Sequence, residues 1–121
     1  MRFDYEKLDV YHQARRVVKA LLAHVISTET IPPVISKQIQ QSAAGILFRI
    51  AEATGRITRA DRRHNFTVAR GLTYEVAAAT DILKDLGLLE EAAYENFQQE
   101  LHEVAEALFR MIMALNLKQA Q

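Results

Sequence analysis

The chain has no cysteine in 121 residues. Disulfides, thiolate metal sites and cysteine nucleophiles are therefore excluded, and a reducing compartment is permitted. It has two prolines, and they are adjacent, at Pro32 and Pro33. It has four glycines, three of which fall between Gln38 and Glu75. It has no uninterrupted apolar run of membrane-spanning length. Its first twenty residues carry charges throughout and lack the apolar stretch of a secretory signal. A cytoplasmic protein is the expectation. No glycine-rich phosphate loop and no nucleophile elbow is present, so no cofactor is expected.

Net charge is also missing: fifteen Lys+Arg balance fifteen Asp+Glu. The balance hides a split. Residues 1–73 carry twelve Lys/Arg and six Asp/Glu, a surplus of +6, and residues 74–121 carry three and nine, a deficit of −6. Such a division suits a locally basic binding face or a head-to-tail contact between copies.

What is present is helical periodicity, four times over, without a strand-like alternation. The first helix is expected to start between Asp4 and Asp9, where an acidic residue suits a helix N-terminus. Leu8, Tyr11, Val18, Leu22 and Val25 mark its face, widened by Val17 and Leu21. Ser27 to Pro33 is a break, since proline removes a backbone donor and restricts its predecessor. The second helix opens near Pro33, a residue tolerated in a first turn. Its stripe is Ile35, Ile39, Ser42 or Ala43, Ile46, Ile50 and Ala53. The small run Ser42 to Gly45 lets another helix come close. Gly55, able to take the left-handed conformation, is expected to end it.

Thr58, followed three positions later by Asp61, resembles a capping box and opens the third helix. Its stripe is Phe66, Ala69, Thr73, Val76, Thr80 and Leu83. Gly71 sits mid-helix at a cost of about 1 kcal/mol relative to alanine, which invites a packing reason. Gly87 closes this helix. The fourth begins by Glu90 and carries Phe97, Leu101, Val104, Leu108, Met111 and Leu115. Lys118 to Gln121 is expected to fray.

Long helices with short connections favour antiparallel neighbours. The expectation is an all-α, single-domain, up-down-up-down four-helix bundle. Second apolar lines (Leu47; Leu72, Ala79 and Leu86; Ala105, Phe109 and Ile112) exceed one core-facing stripe per helix and point to a homo-oligomer.

The candidate functional residues are Arg49, Arg56, Arg59, Arg62, Arg63 and Arg70, the one dense cation cluster. Arginine forks match phosphate oxygens, so the cluster is the candidate nucleic-acid site. The competing reading is a solvated face, or ion pairs to the acidic fourth helix. Glu52 and Glu75 lack the fixed partner that acid–base catalysis needs, and bonding to an arginine or a helix end is the simpler role. Asp9/His12 and Asp61/His64 have the spacing of di-iron ligands but lie at helix beginnings, where aspartate caps; no metal is expected.

The residues also resemble a known pattern. Phe3, Leu8, Val10 and Tyr11 fit an opening aromatic and Leu-x-Val-aromatic. Gln38, Ser42, Ala43 and Ile46 follow, then the run Arg49 to Arg56, then Phe66, Ala69, Gly71 and Glu75. The chain resembles the bacterial proteins encoded in intervening sequences of 23S ribosomal RNA genes, the S23 ribosomal protein family. The accessory variability protein of diversity-generating retroelements is related to them. Arg49, Ala53 and Leu72 stand where the family usually has Asn, Gly and Ser. The resemblance implies a homopentamer of four-helix bundles around a central channel. In the retroelement branch it implies nucleic acid and a reverse transcriptase as partners. Arg59 and His64 also fit the Arg-x4-His pattern of HEPN ribonucleases, which makes a metal-independent ribonuclease the alternative. A purely structural interaction protein is the third reading.

Overall fold

The computed structural model describes residues 2–120, with side chains for residues 2–116. A 3-10 turn, Asp4–Lys7, leads into α1 (Asp9–Ser27), α2 (Pro33–Gly55), α3 (Arg59–Asp85) and α4 (Glu91–Ala120). There is no strand among the described residues. Each helix packs on its chain neighbours and α1 packs on α4, while the diagonal pairs do not meet. This is the expected up-down-up-down bundle. No described helix is long and apolar enough to cross a membrane.

Local chemistry sets the boundaries. Pro33 occupies the first turn of α2, preceded by Pro32 at φ −53° and ψ 135°. Thr58 caps α3 by accepting from the Asp61 amide at 3.1 Å, one half of a capping box. Gly87, at φ +72°, turns the chain out of α3 in the left-handed region. The Leu88 amide then reaches back to the Leu83 carbonyl at 2.8 Å. Gly55 behaves differently from expectation. It is the last residue of α2 without a positive φ, and the chain leaves the helix through an extended Arg56 at φ −82° and ψ 149°. The expected frayed end, Lys118 to Gln121, lies outside the residues whose side chains are described.

The core is built from the predicted stripes of α2, α3 and α4. Ile39, Ser42, Ala43, Ile46, Ile50 and Ala53 are buried, as are Phe66, Ala69, Thr73, Val76, Thr80 and Leu83. On α1 the stripe is rotated from the expected one. Val10, Ala14, Val17, Val18, Leu21 and Val25 are buried, and Leu8, Tyr11 and Leu22 sit at the margins.

The second apolar lines also need correction. Leu47, Leu72, Ala79 and Ile112 pack against the core, and Ala105 is buried. Each helix has a neighbour on both sides, so its apolar face must be about two lines wide, well over 100° of arc. Those lines mostly serve the bundle itself. Exposed apolar surface lies elsewhere, at Val34, Phe48, Ile57, Tyr74 and Ile82, with Phe109 and Leu86 as remnants.

Candidate nucleic-acid interface

Arg49 lies on α2 against α3, Arg56 at the turn between them, and Arg59, Arg62, Arg63 and Arg70 along α3, where Arg63 and Arg70 reach across to α4. Their heights are fixed by cross-helix contacts. A Cβ on Gly45 would stand 3.0 Å from Leu72 Cδ1, the close approach that the small run of α2 foreshadows. Arg49 Nη1 donates to Asn65 Oδ1 at 3.0 Å. Arg70 Nε donates to the Ala105 carbonyl at 3.3 Å, and Gln13 Nε2 donates to Glu103 at 3.0 Å. The Gly45–Leu72, Arg70–Ala105 and Gln13–Glu103 contacts mark one level across the four helices, and Arg49 and Asn65 meet one to two turns nearer the α2–α3 turn.

Below that level the bundle is basic and above it acidic. Residues 2–12, 45–71 and 106–116 carry nine Lys/Arg and six Asp/Glu; residues 13–44 and 72–105 carry five and nine. The charge split along the sequence is therefore also a split along the bundle axis. The basic end holds the α2–α3 turn.

Most of the cluster has acceptors within the chain. Arg56 Nε donates to Glu52 Oε2 at 3.1 Å, and its Nη2 closes an ion pair with the same oxygen. That hydrogen bond holds the Glu52 carboxyl below its ordinary range, with Coulomb attraction to Arg56, Arg49 and His64 also lowering it. A carboxylate so held is a weak base, and Glu52 takes the arginine-bonding role. Arg62 Nε donates to the Arg56 carbonyl at 2.7 Å. Arg63 Nη1 donates to Asn116 Oδ1 at 3.0 Å. Arg70 also donates to the Tyr74 hydroxyl at 3.1 Å and lies over the Tyr74 and Phe109 rings, 4.9 and 5.3 Å from their centroids. Arg59, in the first turn of α3, is exposed.

The acidic face of α4 has its own partners. Glu103 takes amide donors from Gln13 and Gln99, Glu100 takes Asn96, and Glu91 pairs with Lys84 at 3.3 Å. The two halves of the split are thus not joined by the four ion pairs recorded among the described residues.

The other candidates are dispersed. Glu52 is near the base of α2, and Glu75 lines a cleft with Gln38 and Ser42 at the far end. Thirteen residues of helix rise, about 20 Å, separate their levels. Arg59 and His64 are both exposed on α3. A five-residue step turns them about 140° apart around the helix. His12 Nε2 is bonded to the Glu6 carbonyl at 2.7 Å. No group of three or more potential metal ligands gathers among the described residues.

A cleft of about 390 Å³ opens at the basic end, between Leu8, Phe66, Met111 and Leu115, with Lys7 and Arg62 at its rim. Sequence reasoning missed it, because its walls come from the 3-10 turn with Leu8 and from three separate helices, α2, α3 and α4. It also missed Asn65, buried at 3% exposure, since a lone polar residue in an arginine-rich run reads as surface.

No curated protein matches the chain. Among solved structures, it is similar to a protein of unknown function from the S23 ribosomal protein family of Bacteroides thetaiotaomicron. The TM-score is 0.78 at 22% identity, over 86% of this chain and 95% of that one. At that identity the likeness concerns the fold. The family model for the 23S rRNA-intervening sequence protein matches residues 6–110, which include the whole α2–α3 hairpin. By that match over most of its length, the chain belongs to the 23S rRNA-intervening sequence protein family.

Proposed function

We propose that this chain is a non-enzymatic, cytoplasmic, homo-oligomeric bundle that presents its basic end to nucleic acid. The observation that carries this reading is the axial separation of charge, with the α2–α3 turn at the positive pole. In a ring of parallel copies, a pentamer by family resemblance, every positive pole would lie on the same rim. A rim of that kind attracts a phosphate backbone although the protein as a whole is neutral. Arg59, exposed beside the capped start of α3, is the cation best placed for contact, since Arg56 at the turn is paired with Glu52. Arg62 keeps further N–H donors beyond the one it gives to the Arg56 carbonyl. Arg49 and Arg70, bonded between helices, serve the fold first.

The test is retention of DNA and RNA by the full chain across a salt series. The wild type should bind at low salt, and the Arg59→Ala/Arg62→Ala/Arg63→Ala variant should lose that binding while keeping its helicity. On duplex DNA, each phosphate contact removed lowers the salt slope by about 0.9. A wild type without salt-sensitive binding would end this reading.

A further inference from the structure

Two outward faces of the bundle are unused by its own packing. On α2, Val34, Gln41 and Phe48 recur every seven residues on the side away from the core, with Val34 76% and Phe48 70% exposed. On α3, Thr67, Gly71, Tyr74 and Ala78 recur at three- and four-residue steps, and all four are exposed. Gly71 is the anomaly. A Cβ there would meet nothing within 4 Å, so the expected close approach is absent from within the chain. The glycine nevertheless costs the helix about 1 kcal/mol. It lies in a groove of about 450 Å³ walled by Arg70, Tyr74, Phe109 and Ile112.

We infer that these faces are the two halves of one heterologous contact between copies, in which Phe48 of one copy seats in the Gly71 groove of the next. The inference rests on the self-association proposed above and specifies its surface. Height is the first argument. Gly45 meets Leu72 and Arg49 meets Asn65 within the chain, so Phe48 lies between those two levels, alongside the two turns from Phe66 to Leu72. Rotation about an axis parallel to the bundle preserves height. Phe48 then arrives at Gly71, Gln41 at Tyr74 and Ala78, and Val34 at Ile82.

Charge is the second argument. At the same height the exposed Lys37 arrives beside Asp81, with Glu75 and Asp85 about one and a half turns to either side, all exposed carboxylates of α3. Direction is the third. The outward faces of adjacent helices in a four-helix bundle diverge by about 90°, and a face turned toward the α3–α4 groove by up to about 135°. A repeated heterologous contact closes into a ring when its two halves diverge by the ring's interior angle, about 108° for five copies. A small residue opposite a large exposed aromatic supplies the shape match that the inner packing of α3 leaves unused.

The experiment uses the intact, cysteine-free chain. Light scattering of the wild type should give a multiple of 13.7 kDa, and Phe48→Asp should fall to 13.7 kDa with unchanged helicity. The double variant Phe48→Cys/Gly71→Cys should form disulfide-linked ladders on oxidation, while Gly71→Cys alone should not. An oligomeric wild type whose Phe48→Asp form keeps its mass, or whose double-cysteine form yields no ladder, overturns this contact and leaves self-association standing. A wild type of single-chain mass overturns self-association itself, and this contact with it.

Discussion

Arg49 on α2 donates to the Oδ1 of Asn65 on α3 at 3.0 Å, and the Nδ2 of Asn65 donates to the Asp61 carbonyl at 3.0 Å. Both halves of a buried amide are therefore used, and no described buried side-chain polar atom is left without a partner. Asn65→Leu should lower stability by about 1–3 kcal/mol, because it leaves the Arg49 guanidinium with a lost acceptor at a partly buried seam. Urea unfolding of the single and double variants with Arg49→Leu measures the coupling. Independent, additive losses would show that the pair does not act as a unit.

Gly45 and Leu72 form the second seam of the same hairpin. A methyl at Gly45 meets only the end of a flexible leucine at 3.0 Å. Gly45→Ala should therefore be close to neutral, with crowding offset by about 1 kcal/mol of helix propensity. Gly45→Ile should cost about 1–3 kcal/mol through overpacking. Thermal melts of the two variants distinguish steric crowding from propensity, since propensity alone would make both more stable than wild type.

At the acidic end, the Tyr94 hydroxyl donates to Asp81 Oδ1 at 2.5 Å, and Gln98 bridges to the Ala77 carbonyl and Thr80 hydroxyl beside it. The hydrogen bond to Asp81 pushes the Tyr94 phenol up to about 12, with desolvation and the Asp81 charge adding to it. The unfolded phenol titrates near 10. A folded value above the unfolded one gives a contribution that is whole below pH about 10 and lost as pH climbs through about 12. The urea midpoint of wild type minus that of Tyr94→Phe should shrink across that window. A difference that stays flat from pH 8 to 12 would show that the phenol proton is not held.

Much of this fold was legible in the sequence, and the reasons are local. Thr58 and Asp61 announced a cap, Gly87 a left-handed exit, and Ile39 to Ala53 a stripe, because each signal lies within one or two turns. The rotated face of α1 was not legible, since Leu8, Tyr11 and Leu22 are apolar margins that outweigh the small Ala14 in any pattern. The role of the arginines was partly legible. Glu52 and Arg56 are four apart on one helix, a spacing that pairs them. The acceptors of Arg49, Arg63 and Arg70 are an amide, another amide and a backbone carbonyl on other turns or helices, which no spacing rule reaches. Leu72 departs from the serine usual in the family. It lies against Gly45 in the seam between α2 and α3, where its side chain fills space that a serine would leave open.

The four helices do not hold one another equally. The α2–α3 and α3–α4 interfaces are the two largest, and the two that α1 makes are smaller. By extent of packing, α2, α3 and α4 form the larger unit, and α1 lies across its open side with less contact. Sub-global opening takes the cheapest cooperative piece first. That piece is α1, latched at its far end by His24 Nε2 against the Leu88 carbonyl at 2.8 Å. Its release would bare the core line from Ile39 to Ile50 while α2, α3 and α4 stay associated.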